Sequence, residues 1–98
     1  MSLTAKQRQY LRGLAHPLSP VVRVGKGRLS EAITGETNRS LEAHELIKVR
    51  IESDDPAERR EIAARLAAET DAELAGTVGK VAILYRARDE KPKIRLPV

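Results

Sequence analysis

The sequence has no cysteine, no phenylalanine and no tryptophan, and its aromatic residues are two tyrosines among 98 residues. Without cysteine there is neither a disulfide framework nor a thiolate metal site. Domains such as RRM and cold-shock proteins stack nucleic-acid bases on several aromatic side chains, and two tyrosines cannot supply such a platform. Any nucleic-acid partner would therefore have to be held through its backbone and shape.

Long apolar runs are also missing. No stretch approaches the length of a membrane-spanning helix, and the first residues lack the apolar core of a secretory signal. We therefore expect a cytoplasmic protein without a membrane partner. The histidines are His16 and His44, which form no metal-ligand or nucleophile pattern, so we expect no metal site, no cofactor, no small-molecule substrate and no catalytic residue.

The charge of the chain is unevenly distributed. Charged residues make up 33% and hydrophobic residues 41%, a balance typical of a globular domain, and the length predicts a single domain over residues 1–98. Residues 1–50 hold nine Lys and Arg against four Glu, whereas residues 51–98 hold nine against ten Asp and Glu. The basic half indicates a polyanionic partner, and the alternative is a solvated basic face.

The stretch from Val21 to Ser30 combines a β-branched run, two glycines, two cations and a serine able to cap a helix. The turn itself consists of Gly25, Lys26, Gly27 and Arg28. Glycine lets a ligand approach the backbone closely, and a helix N-terminus attracts anions. The stretch predicts a clamp for phosphate groups; its alternative is an ordinary strand-to-helix connection with solvated charges.

Capping residues and periodicity predict seven elements. The expected helices run from a Thr4 cap to about Ala15, from a Ser30 cap to about Ala43, and from an Asp55 cap to about Glu69. The expected strands are Val21–Val24, Leu46–Ile51, Ala72–Val78 and Val81–Ala87, the last two joined at Gly79-Lys80. The order α-β-α-β-α-β-β predicts one compact α/β domain with three helices and a four-stranded mixed sheet.

Five further cations extend the predicted basic surface. Arg8 and Arg12 are four residues apart, so they lie on the same side of the first helix. Arg23 projects from the face of its strand opposite its two valine neighbours, and Lys48 and Arg50 alternate with apolar residues on theirs. These cations are candidate contacts for the polyanion, with Lys48 and Arg50 in second place.

The chain resembles the bacterial stand-alone CRM domain, the YhbY-like family of RNA-binding proteins associated with maturation of the large ribosomal subunit. The matching stretches are Leu3–Arg8, Leu11–His16, Pro20–Lys26, His44–Val49, Val78–Gly79 and Leu84–Arg86. The resemblance implies a fold similar to the C-terminal domain of bacterial translation initiation factor three, preceded by an extra helix. It also implies ribosomal RNA, or particles on the way to the large subunit, as the partner. We expect the protein to be a monomer.

In this family the loop after the first strand is a GxxG-type turn that clamps the nucleotide backbone. Here Arg28 stands where the second glycine is usual, and Gly27 comes one position earlier. Either Arg28 takes a strained backbone conformation, or the turn shifts its register and Gly27 supplies that conformation. The predicted RNA-binding residues are Gly25, Lys26, Gly27, Arg28, Ser30, Arg8, Arg12, Arg23, Lys48 and Arg50.

Two alternatives belong to other classes of function. The acidic segment from Glu52 to Glu61, at the start of the third helix, could contact a basic ribosomal protein and make the domain a protein-interaction module. An RNA-processing enzyme is the other alternative, although the chain offers neither a nucleophile nor an acid–base pair for it. The residue types therefore argue against catalysis, and the resemblance favours RNA binding.

Overall fold

A four-stranded mixed sheet organises the computed structural model, which describes residues 2–25 and 28–98. The elements are α1 (Ala5–Ala15), β1 (Pro20–Val24), α2 (Glu31–His44), β2 (Leu46–Ile51), α3 (Pro56–Glu69), β3 (Glu73–Val78) and β4 (Val81–Tyr85). The strand order is β1-β2-β4-β3; β1 and β2 are parallel, and the other two pairs are antiparallel. The predicted α/β fold with three helices and a mixed sheet is confirmed.

The helices begin at the predicted capping residues. Thr4 and Gln7 form a reciprocal capping box at α1: the Gln7 N–H donates to Thr4 Oγ1 at 3.1 Å and the Thr4 N–H donates to Gln7 Oε1 at 3.0 Å. At α3 the Ala57 N–H donates to Asp55 Oδ1 at 3.0 Å, with Pro56 in the first turn. These local hydrogen bonds satisfy donors that a helix start would otherwise leave unpaired. In the described ranges, no helix has the length and apolar character that crossing a membrane requires.

Each face of the sheet has its own apolar core. Helices α2 and α3 cover one face, where Val24, Val49 and Ile51 are buried together with Leu66 of α3. Helix α1 and the C-terminal tail, residues 86–98, cover the other face. The core on this second face contains Leu11, Ala15, Leu46, Ala75, Ile83 and Tyr85, with Ile94 and Leu96 of the tail packed against it. The sheet is therefore enclosed on both sides, and the α1 face is completed by the end of the chain.

The C-terminal tail is fixed by a buried carboxylate. Glu45 lies between α2 and β2 with φ of 63° and has no exposed surface. Its side chain accepts the N–H of Arg88 at 2.9 Å, of Lys93 at 2.7 Å and of Ile94 at 3.0 Å. Burial alone would raise the pKa of Glu45, but these hydrogen bonds and the Arg88 charge outweigh it and hold the pKa below its ordinary value. Glu45 is thus an ionised anchor for the tail.

Candidate nucleic-acid interface

The predicted glycine turn lies at one end of the sheet, where three chain segments meet. Because β1 and β2 are parallel, their carboxyl ends share this end, and the Glu52 N–H donates to the Val24 carbonyl at 2.9 Å. The β3–β4 hairpin joins them through the Ile51 N–H, which donates to the Lys80 carbonyl at 2.7 Å. Gly25, which follows β1 directly, therefore lies beside the hydrogen-bonded ends of β1, β2 and the β3–β4 hairpin.

The turn is closed by a hydrogen bond from the Arg28 N–H to the Gly25 carbonyl at 3.1 Å. Gly25 is exposed, its φ lies outside the left-handed region, and no heavy atom beyond its chain neighbours comes within 4 Å of the position a Cβ would take. The fold itself therefore does not require glycine there, and a ligand could reach that backbone. Arg28 is exposed. The predicted contacts at Lys26 and Gly27 lie outside the described residues. The choice between the two turn geometries depends on these residues, so it stays a prediction.

Ser30 serves as the N-cap of α2. Its hydroxyl accepts the Ile33 N–H at 3.2 Å, and Glu31 follows in the first helical turn. The hydroxyl already satisfies one helix N–H, and the Glu31 carboxylate offsets the positive end of the helix dipole. Attraction of phosphate to this site would therefore come from the cationic side chains of the turn more than from the helix N-terminus.

Arg23 and Arg50 lie next to each other on the α1 face of the sheet. They are register partners on the adjacent strands β1 and β2; Arg50 donates its Nε–H to Glu52 Oε2, and Arg23 forms an ion pair with the same oxygen. The Nε to Oε2 distance is 3.3 Å for Arg23 and 3.1 Å for Arg50. The structure thus brings two predicted contact residues together and adds a carboxylate that the cation pattern alone did not include.

Two other predicted cations form hydrogen bonds within the fold. Arg12 Nη1 donates to the Ala75 carbonyl at 3.2 Å, which ties α1 to β3. Lys48 Nζ donates to the His16 carbonyl at 3.1 Å, at the C-terminal end of α1. A cation there satisfies one of the helix carbonyls that have no partner within the helix. Both residues therefore contribute to the packing of α1 on the sheet.

Arg8 is half-buried on α1, one turn before Arg12. Its spacing places it on the same side of α1 as Arg12, and Lys48, Arg23 and Arg50 lie on the face of the sheet that α1 covers. The predicted residues accordingly form two groups. The turn with Ser30 lies at the end of the sheet, and the five cations lie across its α1 face.

The acidic segment between β2 and α3 has intramolecular roles. Glu52 pairs with the two arginines, Asp55 caps α3, and Asp54 Oδ1 lies 2.8 Å from Lys80 Nζ. The hydrogen bond and the charge of Lys80 hold the pKa of the exposed Asp54 below its ordinary value. Lys80 is a further cation at the turn end of the sheet. Lys80 stands in a two-residue hairpin loop close to where the parallel strands end. This position in the sequence could have predicted that Lys80 lies near the glycine turn.

Comparisons with known proteins identify the family of the chain. The model of the CRS1 / YhbY (CRM) domain family matches residues 3–86. A Haemophilus influenzae protein named "RNA-binding protein" is 41% identical over 96 residues, covering 98% of this chain and 96% of its own. The Bacillus subtilis "Probable RNA-binding protein YqeI" is 35% identical over 95 residues, covering 97% and 99%.

A solved structure supports the same relationship. The solution structure of a hypothetical protein from Staphylococcus aureus superposes with a TM-score of 0.88 at 37% sequence identity. The match covers 97% of this chain and 99% of that one. The two proteins therefore share the arrangement of three helices around the mixed sheet. With the family model spanning most of its length, this chain belongs to the CRS1/YhbY (CRM) domain family.

Proposed function

We propose that this protein binds structured ribosomal RNA through the glycine turn and the neighbouring cations of the α1 face, and takes part in assembly of the large ribosomal subunit in the cytoplasm. The RNA-binding names of the Haemophilus influenzae and Bacillus subtilis relatives support the RNA partner. The proposal is of binding without catalysis. It includes the whole chain as a single RNA-binding domain that acts as a monomer.

One observation carries the proposal: Gly25 and Arg28, at the two ends of the turn after β1, are exposed, and the fold does not require glycine at position 25. The backbone of Gly25 is neither in the left-handed region nor crowded by other atoms. A phosphodiester backbone can approach such a segment to hydrogen-bond distance of its N–H groups. Lys26 and Arg28 would then neutralise the phosphates that lie nearest.

Electrostatics sets the expected mode of binding. Contacts with phosphates release condensed counterions, so affinity falls as the salt concentration rises, with a slope that reflects the number of phosphates neutralised. The scarcity of aromatic residues leaves base stacking a minor role. Recognition would accordingly depend on the shape of folded RNA and its backbone more than on base sequence.

The test is a titration of large-subunit ribosomal RNA, transcribed in vitro, with the wild-type protein and the Lys26→Ala/Arg28→Ala variant at several salt concentrations. We expect weaker binding and a salt slope smaller by about 0.7–0.9 for each phosphate that the variant no longer neutralises. The matched control is Arg39→Ala/Arg60→Ala, which removes two exposed cations from α2 and α3 on the opposite face. An unchanged slope for the turn variant, or an equal loss of affinity in the control, would remove the turn from the interface.

A further inference from the structure

Two guanidinium groups share one carboxylate oxygen on the α1 face. Arg23 and Arg50 leave adjacent strands at the same register position, and Glu52 Oε2 lies within 3.3 Å of both Nε atoms. Like charges directly opposite each other in a sheet repel. Glu52 offsets this repulsion and keeps the two planar groups side by side.

Glu52 contacts the two arginines at their Nε atoms, and only Arg50 donates a hydrogen bond to it. In the part of the chain that the structure describes, the Nη groups of both arginines have no hydrogen-bond partner, and the side chains of Arg23 and Arg50 are 70% and 39% exposed. The paired N–H donors of a guanidinium group match two oxygens of a phosphate, and here two guanidinium groups lie next to each other.

We infer that Arg23 and Arg50 together form one phosphate-binding site for the RNA backbone, and that Glu52 is the positioning residue that preorganises it. This inference rests on the proposed function and adds a second contact point to the turn. Arg23, Arg50 and Glu52 together carry one formal positive charge, which Glu36 in the same groove balances, so phosphate binding there depends on the guanidinium donors more than on net charge. Glu36 of α2 lines the same groove but makes no salt bridge to either arginine.

Glu36 and Glu52 provide a matched pair of variants. If charge alone mattered, Glu36→Gln and Glu52→Gln would both tighten RNA binding, because each removes a negative charge from the groove. If Glu52 positions the arginines, Glu52→Gln instead weakens binding, because two long side chains then have to be ordered when RNA binds. The two explanations therefore predict opposite signs for Glu52→Gln.

We expect Glu52→Gln to weaken the binding of large-subunit ribosomal RNA by about threefold to tenfold, and Glu36→Gln to leave it unchanged or slightly tighter. Both variants should stay folded, because surface ion pairs contribute little to stability. Circular dichroism melts check this point. Affinity of Glu52→Gln equal to or higher than wild type would overturn the inference.

The number of phosphates gives an independent test. If Arg23 and Arg50 share one phosphate, the Arg23→Ala/Arg50→Ala variant lowers the salt slope by about 0.7–0.9, the value for a single phosphate. Two separate phosphates would lower it by about twice that amount and would contradict a shared site, as would no change. If the wild-type protein fails to bind this RNA, the proposed function falls and the inference falls with it. If the wild-type protein binds the RNA but Glu52→Gln does not weaken binding, the inference is wrong and the proposed function still stands.

Discussion

Arg12 lies directly over Gly76: a Cβ added to this glycine would stand 2.7 Å from Arg12 Cδ. The guanidinium end of the same side chain donates to the Ala75 carbonyl at 3.2 Å. This carbonyl lies where the pairing of β3 with β4 shifts its register. The glycine therefore makes room for the arginine stem, and the arginine supplies a donor at an irregular point of the sheet.

Gly76→Ala should lower the free energy of unfolding by about 1–2 kcal/mol, because the Arg12 stem has to move and its hydrogen bond to Ala75 breaks. In an Arg12→Ala background the three atoms nearest to that position are gone, so the same substitution should cost clearly less. Urea denaturation of the wild type, the two single variants and the double variant gives the coupling free energy between Arg12 and Gly76. Equal costs in the two backgrounds would show that the arginine is not what requires glycine there.

Glu45→Gln should destabilise the protein by about 2–3 kcal/mol, because an amide brings a donor to a pocket that holds three N–H donors. Hydrogen exchange should accelerate at Arg88, Lys93 and Ile94. The control is Glu42→Gln, whose carboxylate is 73% exposed and lies 3.5 Å from Arg86, so its removal should cost less than about 1 kcal/mol. Similar costs for the two variants would contradict the anchoring role of Glu45.

The pH dependence of stability follows from the same carboxylate. The pKa of Glu45 in the folded protein lies below its ordinary value of 4.5, so the unfolded chain binds its proton more readily than the folded one. The stabilisation that Glu45 provides is therefore present above about pH 4.5 and is lost as the pH falls through the folded-state pKa. Urea denaturation from pH 7 to pH 3 should show the difference in stability between wild type and Glu45→Gln narrowing in acid. A difference in stability that stays the same down to pH 3 would contradict the role of the ionised Glu45 carboxylate.

The fold could be predicted from the sequence because its signals are local. Thr4 and Asp55 cap their helices through hydrogen bonds to residues two or three positions away. Leu46–Ile51 alternates apolar and cationic residues, and the structure gives β2 these same bounds. The order of elements then restricts the topology to few choices. By contrast, the packing of the tail depends on Glu45, more than 40 residues before its partners, and no local pattern reports such a contact.

The candidate site could be predicted only in part, for the same reason. Residue type and spacing identified the cations, but not the acceptors that lie near them in space. Lys48 and Arg12 each find a backbone carbonyl in another element. Arg23 and Arg50 share Glu52, whose position after β2 looks like the start of an acidic connection. Which cations keep donors available for a ligand is therefore a property of the tertiary structure.

Gly13 offers a test of which glycines the fold needs. It lies inside α1, and no atom beyond its own helix and chain neighbours comes within 4 Å of its Cβ position. Gly13→Ala should raise the free energy of unfolding by about 1 kcal/mol, because alanine forms helix more readily than glycine. Gly79 is equally uncrowded but has φ of +57°, so Gly79→Ala should lower stability by about 1 kcal/mol. Thermal and urea denaturation of the two variants compare the same chemical change at two open positions, and effects of the same sign would show that backbone conformation is not what separates them.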